Sequence, residues 1–313
     1  MALFNLNAFD LLAVSGADAK KFLQGQITCN VDLLSPTHSL EGAICNLKGR
    51  VIGDFRLLEH TGVCYLAMAP GMAARVKPVL DKYIVFSRAT CEQVNDGVQR
   101  IGLIGDQAVD LAVELGLELP LGDGDVIARD HRLLIRVRGA TPRYELWQFP
   151  ESATGSLIPP TALQSISDPQ PWRIENIRAG IAHVTPDRSE EYLPEALNYD
   201  LSGVINFKKG CYTGQEVVAR MHFRGIAKKR LCYLLADRDC GQPQTISCRS
   251  DDTEKAEQGE LWQWETDTRG HWHILAILPT VAVEPSSHIY LNDDPDCTVT
   301  IQSLPYLIEA VGS

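Results

Sequence analysis

The run "FDLLAVSG" alternates as a half-buried strand does, and "ADAKKFLQGQI" then repeats Ala19, Phe22, Leu23 and Ile27 at helical spacing. A strand, Gly16 and a helix therefore open the chain. In "GAICNLKGRVIGDFRLLEHTGVCYLAMAP", apolar segments are punctuated by Lys48-Gly49 and Thr61-Gly62, the pattern of antiparallel strands joined by hairpins. "GMAARVKPVLDKYIVF" reads as a helix despite Pro78, leading into a strand. "RIGLIGDQAVDLAVELGL" repeats the order strand, glycine, helix, and further strands fall around "HRLLIRVRG" and "RYELWQF". In "SDPQPWRIENIRAGI", Asp168 or Gln170 suits the N-cap, Pro171 the first helical position and Gly180 the exit. From spacing alone, Trp172 in this helix reads as a core or domain-interface anchor.

After Arg230 the pattern changes to short apolar runs, "LCYLLA", "LWQWET", "HWHILAIL", "SHIYL" and "TVTIQSL", separated by Gly, Pro and Asp-rich turns. These predict a small all-β domain, a barrel or compact sandwich. The tract at 249–260, "RSDDTEKAEQGE", reads as a charged surface loop. With helices set between hairpins, and not after every parallel strand, the class is α+β. The expected domains are 1–228, built as two subdomains with the inner one at about 45–145, and 229–313 as the C-terminal β-barrel.

The chain has 313 residues, 45% of them hydrophobic, and no run approaches the ~20 apolar residues of a membrane span. The opening residues lack the basic start and cleavage pattern of a signal peptide, which places the protein in the cytoplasm. Nine scattered cysteines without C-x-x-C read as reduced thiols, mostly buried. His271 and His273 in "GHWHI" are expected on one face of a strand; with no third ligand type nearby, a polar strand face is preferred to a metal site, and no metal is expected. Gly102 and Gly105 do not make a dinucleotide fingerprint, and no phosphate-cradling loop is present.

The formal net charge is −11, which argues against broad binding to nucleic acid. Yet the segment from Lys208 to Arg230 holds seven basic residues and one acid, Glu216, so it carries +6 on a body of −17. This island suits one defined anionic partner. Within it lies "NFKKGCYTGQEVVARMHFRG", where Thr213 and Glu216 stand in the T-x-x-E relation of a capping box. Cys211 is thereby placed just before a helix N-terminus, where the macrodipole together with Lys208 and Lys209 favours a thiolate. Glu216 and Arg220 are spaced for an i, i+4 pair. Two readings of Cys211 stay open from the residues alone: a reactive thiol, or a packed structural cysteine beside a solvated basic helix. His222 is eleven residues on, so a Cys/His acyl-transfer pair is weakly supported.

The stretch "KKGCYTGQEVVAR", followed by "FRG" and "KR", resembles the signature of the YgfZ family of folate-binding, tRNA-modification-related proteins. These are themselves similar to the aminomethyltransferase T-protein of the glycine cleavage system. The resemblance extends to "VSGADAKKFLQGQIT", "PWRIENIRAGI" and "YLPEALNYDLSGVINF", covering most of residues 8 to 235. It implies a multi-domain, ring-like T-protein arrangement of antiparallel sheets and helices, with tetrahydrofolate in a central cleft. It also implies an accessory role for iron-sulfur proteins, including tRNA-thiolating enzymes, with direct nucleic-acid binding not required. Cys211 is then the functional thiol, framed by Lys209, Gly210, Tyr212, Gly214, Gln215 and Glu216, with Arg220 on the basic face. Trp172 matches a folate-site tryptophan, and Phe9 stands where a second is found. Asp54, in "GRVIGDFRLL", aligns roughly with an acidic region that the aminomethyltransferases use on the folate nitrogen. A folate suits the basic island, since its pterin needs flat apolar walls and its tail is anionic. The alternative, a folate-dependent aminomethyl or one-carbon transferase, needs a carboxylate and no thiol.

Overall fold

The computed structural model describes residues 3–94, 96–105, 107–150, 166–236, 241–250, 256–280, 287–292, 294 and 296–308. The chain forms two compact units: residues 1–172, 183–191 and 203–215 in the first, and 173–182, 192–202 and 216–313 in the second.

The first unit contains two sheets. One has five antiparallel strands in the order β3 (Leu40–Cys45), β4 (Val51–His60), β5 (Val63–Met68), β2 (Asp10–Ser15) and β6 (Thr90–Gln93). The expected hairpin at Thr61-Gly62 joins β4 to β5, and both turn residues take the positive φ that a tight two-residue turn demands. Helix α1 (Ala19–Gln24) follows β2, and α2 (Ala73–Ile84) runs through Pro78 as the pattern expects. Gly53 lets α2 approach β4 closely, because a Cβ there would lie 2.7 Å from the Met72 methyl.

The other sheet has the order β11 (Ile166–Ser167), β1 (Leu3–Asn5), β7 (Gln99–Ile104), β10 (Arg143–Gln148), β9 (Arg132–Val137) and β8 (Val126–Arg129), antiparallel except for β1 beside β11. Strand alternation divides its two faces. Leu103, Leu134 and Leu146 pack with Ala108, Leu111 and Ala112 of helix α3 (Gln107–Glu114). Leu133, Ile135 and Trp147 turn the other way, onto Leu11, Leu58 and Ala67 of the five-stranded sheet. Arg100, Gly102, Arg143 and Glu145 share that second face by register, so polar groups lie between the two sheets.

In the second unit, seven strands form a nearly closed antiparallel barrel in the order β14 (Glu257–Gln258), β13 (Ile246–Ser250), β17 (Ser287–Leu291), β18 (Thr298–Gln302), β12 (Lys229–Ala236), β16 (Trp272–Pro279) and β15 (Glu260–Thr266). Cys232, Leu234, Ile274, Ala276 and Leu278 fill its interior. The tract read as a loop at 249–260 is corrected at both ends. β13 continues to Ser250 and β14 occupies 257–258, held by cross-strand pairing that a short polar run does not signal, while 251–255 lie outside the described residues.

The histidine expectation also changes. His271 precedes β16, and His273 is buried, its Nδ1 2.8 Å from the Tyr233 hydroxyl; both imidazoles turn to the carboxylate of Asp267 at 3.3 and 3.5 Å. Among the described residues, no cluster of three metal-ligating side chains occurs, and no helix is long and apolar enough to cross a membrane. Cys29, Cys45, Cys64, Cys91, Cys211, Cys232 and Cys248 are free thiols, whereas Cys297 is disulfide-bonded, which corrects the all-thiol expectation.

Candidate functional site

The first unit carries two polar centres, both arranged along β3. At one end lies the cysteine loop. Its backbone is sewn to residues 24–28: Asn206 N donates to Thr28 O at 3.0 Å, Thr213 N to Gly25 O at 3.2 Å, and the Thr28 hydroxyl to Val204 O at 2.7 Å. Lys209 is buried, and its ammonium donates to Gln24 O at 2.7 Å and Ile27 O at 2.5 Å, with the Tyr212 ring 5.0 Å away. Burial pushes this amine down to about 8, with the neighbouring Cys29 and Asp32 pulling the other way. Lys209 is thus a strut within the loop's anchorage, and its charge is spent on backbone carbonyls. Among the described free thiols, only Cys211 is exposed.

The helix after the loop, α5 (Gln215–Arg224), begins later than the capping-box reading expects. The Thr213 hydroxyl donates to Gln26 Oε1 at 3.3 Å, and it is the Gln215 side chain that reaches back, accepting from Tyr212 N at 3.1 Å. The capping box read from Thr213 and Glu216 is therefore replaced: Gln215, the first residue of the helix, closes back on the loop at Tyr212. Gly214, at φ +84°, abuts β3 so closely that a Cβ would collide with Asn46 O. Glu216 and Arg220 are both exposed on α5, and no ion pair joins them among the described residues.

The second centre lies about 10 Å further along β3, at the ~3.3 Å rise of a strand, where Ala43 pairs with Asp54 of β4. Asp54 is buried; its Oδ1 accepts from Val184 N and its Oδ2 contacts His183 Nδ1, each at 2.7 Å. The His183 side chain is 46% exposed. Beside it stands Glu41, with Arg56 at 3.1 Å and Arg138 at 3.3 Å. Burial works against ionisation of Glu41, but Arg138 and Arg56, aided by His183 and Arg143, outweigh it and hold the carboxyl below its ordinary range. Deeper between the sheets, Glu145 pairs with Arg100 at 2.6 Å and with Arg56 at 3.5 Å. With Asp54 counted, the guanidinium groups of Arg56, Arg100, Arg138 and Arg143 stand against three carboxylates, an excess of one positive charge in this region.

Trp172, the third residue of helix α4 (Gln170–Arg178), is buried, 3% exposed. A Cβ on Gly102 would lie 2.6 Å from its ring, and the fully buried Arg143 guanidinium stands 5.0 Å from the ring centroid while donating to Arg138 O. Phe9 is also buried, edge-on to Trp147 at 5.2 Å. Both aromatic faces expected at a folate site are packed in this conformation. Sequence reasoning missed His183, Glu41 and the arginines around them. Asp54 and His183 are 129 residues apart, and no local pattern joins them.

No protein-family model matches the chain. Full-length relatives are found among curated proteins. The tRNA-modifying protein YgfZ of Colwellia psychrerythraea is 31% identical over 98% of this chain and 94% of its own length. Its counterpart in Photobacterium profundum is 32% identical over 99% and 92%, and that of Escherichia coli strain SE11 is 30% identical over 99% and 94%. Among solved structures, the glycine cleavage system aminomethyltransferase T from Bartonella henselae superposes with a TM-score of 0.71 at 16% identity, covering 98% of this chain and 86% of that one, which shows a shared fold.

Proposed function

The chain belongs to the YgfZ family of tRNA-modifying proteins, and from that premise we propose that it serves tRNA modification as a folate-binding accessory protein for iron-sulfur enzymes, with Cys211 as its functional thiol. The observation that carries this reading is the exposure of Cys211 on a loop fastened by backbone bonds and by the buried Lys209. A thiol kept for packing would be buried, as the other described free cysteines are.

The residues of the second centre fit tetrahydrofolate in their chemistry. An excess of guanidinium groups suits the anionic glutamate tail, and the half-exposed His183 offers the pterin a polar group. His183 and Arg138 are the residues proposed to meet it, while Trp172, Arg143 and Phe9, packed in this conformation, shape the wall behind them, with Tyr212 and Gln215 kept from the sequence reading. When bound, a tetrahydrofolate supplies one-carbon units carried on its nitrogens. The protein's own contribution is to hold the cofactor's charge and keep the thiol presented. Lys209 acts by fixing the loop, and Glu216 follows on the helix. The partners proposed are iron-sulfur proteins, tRNA-thiolating enzymes among them, reached without direct contact to nucleic acid, in the cytoplasm.

The alternative, a one-carbon transferase centred on Asp54, is disfavoured because both oxygens of that carboxylate are already engaged by Val184 and His183. The test replaces Cys211 by Ser in cells lacking the native protein and measures thiolated nucleosides in bulk tRNA by mass spectrometry. Thiolation is expected to fall to the level of the deletion strain. Full retention would return Cys211 to a structural part and favour the transferase.

A further inference from the structure

The Asp54 carboxylate is shielded and fully engaged, whereas the imidazole it holds is half-exposed. We propose that His183, oriented by Asp54, is the group that meets the ligand in this centre, and that Asp54 is its positioning residue. This rests on the folate reading and names the contact within it.

The geometry sets the direction of the hydrogen bonds. An ionised carboxylate only accepts, so the short contact from His183 Nδ1 to Asp54 Oδ2 places the hydrogen on Nδ1. In the neutral imidazole, Nε2 then carries a lone pair. Nε2 has no hydrogen-bond partner among the described residues. Asp54 cannot swing away to compete for a ligand, because its other oxygen is pinned by Val184 N. The backbone bond and the imidazole bond involve adjacent residues, 183 and 184, so one carboxylate fixes both the position and the rotation of the ring.

The surroundings sharpen what Nε2 would accept. Glu41, a carboxylate close enough to feel His183, is tied to Arg56 and Arg138, and Glu145 is tied to Arg100 and Arg56. These two carboxylates are thus taken up by arginines, while the imidazole lone pair stays on offer as an acceptor. A ligand suited to it carries an N–H donor on a flat heterocycle and negative charge elsewhere. The amine and ring N–H groups of a reduced pterin with its glutamate tail have that chemistry.

The experiment uses the full chain with selectively 15N-labelled histidine. Nitrogen NMR is expected to show His183 as the Nδ1–H form, and tetrahydrofolate added anaerobically is expected to shift its Nε2 resonance. Calorimetry should show that His183→Leu weakens tetrahydrofolate binding by about 10-fold or more, in line with one lost hydrogen bond in a shielded site. Asp54→Asn should move the His183 proton to Nε2 and weaken binding comparably, which a merely structural carboxylate would not do. Equal affinity of wild type and His183→Leu, or an Nε2 resonance unmoved by bound tetrahydrofolate, overturns the assignment while leaving the folate reading intact. If the wild-type protein binds no tetrahydrofolate, the folate reading falls and this assignment falls with it. Because His183 is half-exposed, its replacement leaves the core packing in place, and a melting temperature within a few degrees of wild type checks that.

Discussion

The ammonium of Lys209 lies 2.7 Å from the carbonyl oxygen of Gln24, so a buried charge joins the backbone bonds that tie the cysteine loop to the end of α1. Removing the donor leaves two carbonyls without it in a shielded place, at about 1–3 kcal/mol for an orphaned group. Lys209→Met is expected to lower stability by about 2 kcal/mol and to raise hydrogen exchange at residues 209–215. The pH dependence has a defined sign. Burial depresses the folded pKa to about 8 from 10.5, so the unfolded chain binds more protons between those values and stability from this group rises with pH across that window. The gap between wild type and Lys209→Met should therefore widen from pH 8 to pH 10 in urea titrations. A constant gap would show that the amine is not desolvated.

Gly214 and Gly203 make a matched pair, since both sit at φ +84° but only Gly214 is crowded. Alanine at Gly203 meets nothing within 4 Å and should cost only the left-handed backbone penalty, roughly 1–2 kcal/mol. Alanine at Gly214 adds a collision with the backbone of Asn46 and should cost more than about 3 kcal/mol, since neither backbone can yield cheaply. Thermal melts of the two variants separate strain from crowding. Alkylation of Cys211 should speed up only in Gly214→Ala, as the loop loses its seat.

Glu195 provides a pH test in the second unit. Its carboxylate is buried, neither oxygen has a hydrogen-bond partner, and burial raises its pKa to about 7 from 4.5, with Asp200 adding to the rise. The folded protein holds this proton more tightly than the unfolded chain, so stability is greatest below pH 4.5 and is lost as pH rises through 7. The loss amounts to about 3 kcal/mol at the conversion of ~1.4 kcal/mol per pKa unit. Glu195→Gln removes it, so the variant should exceed wild type in urea midpoint at pH 8 and match it near pH 5. A wild-type advantage at pH 8 would mean that the carboxylate has a compensating partner.

Strand and helix patterns were legible by two routes. β2 alternates over part of its length, whereas β12 and β16 are apolar runs buried along nearly their whole length and bounded by turn residues, and α4 announces itself with the Asp168 cap, whose Oδ1 accepts from Gln170 N at 2.7 Å. β13 and β14 were not legible, because two to five residues beside a charged tract have no usable period, and β14 depends on β13 and β13 on β17 for pairing. The cysteine loop was readable as a motif, but its fastening was not. Thr213 had a local choice, capping its own helix, and a distant one, reaching Gln26, and tertiary contact decided. Trp172 illustrates the same limit: its burial is set by Gly102, 70 positions away in the chain, which leaves room for a ring that any side chain there would displace. The dyad of Asp54 and His183 joins a strand to a loop and leaves no periodic trace.

Glu145 is the keystone of the charged layer between the two sheets of the first unit. Its carboxylate accepts from Arg100 at 2.6 and 3.1 Å and from Trp147 Nε1 at 2.9 Å, with Arg56 Nε at 3.5 Å. Burial alone would raise its pKa, but Arg100 and Arg56 overcome that and hold it down at about 2. Replacing Glu145 by Ala takes the carboxylate partner from the half-buried Arg100 and leaves Arg56 with Glu41 alone, and breaking such a network from one side costs about 3 kcal/mol. Glu145→Gln keeps the volume and one acceptor, so it should fall between alanine and wild type. The depressed pKa means that the carboxylate's contribution is present above the unfolded value near 4.5 and is lost as pH falls toward 2. Urea titrations from pH 6 to pH 3 should show wild type losing more stability than Glu145→Gln over that range. Parallel profiles would show that the arginines are satisfied elsewhere and that Glu145 is not what holds the two sheets' charges together.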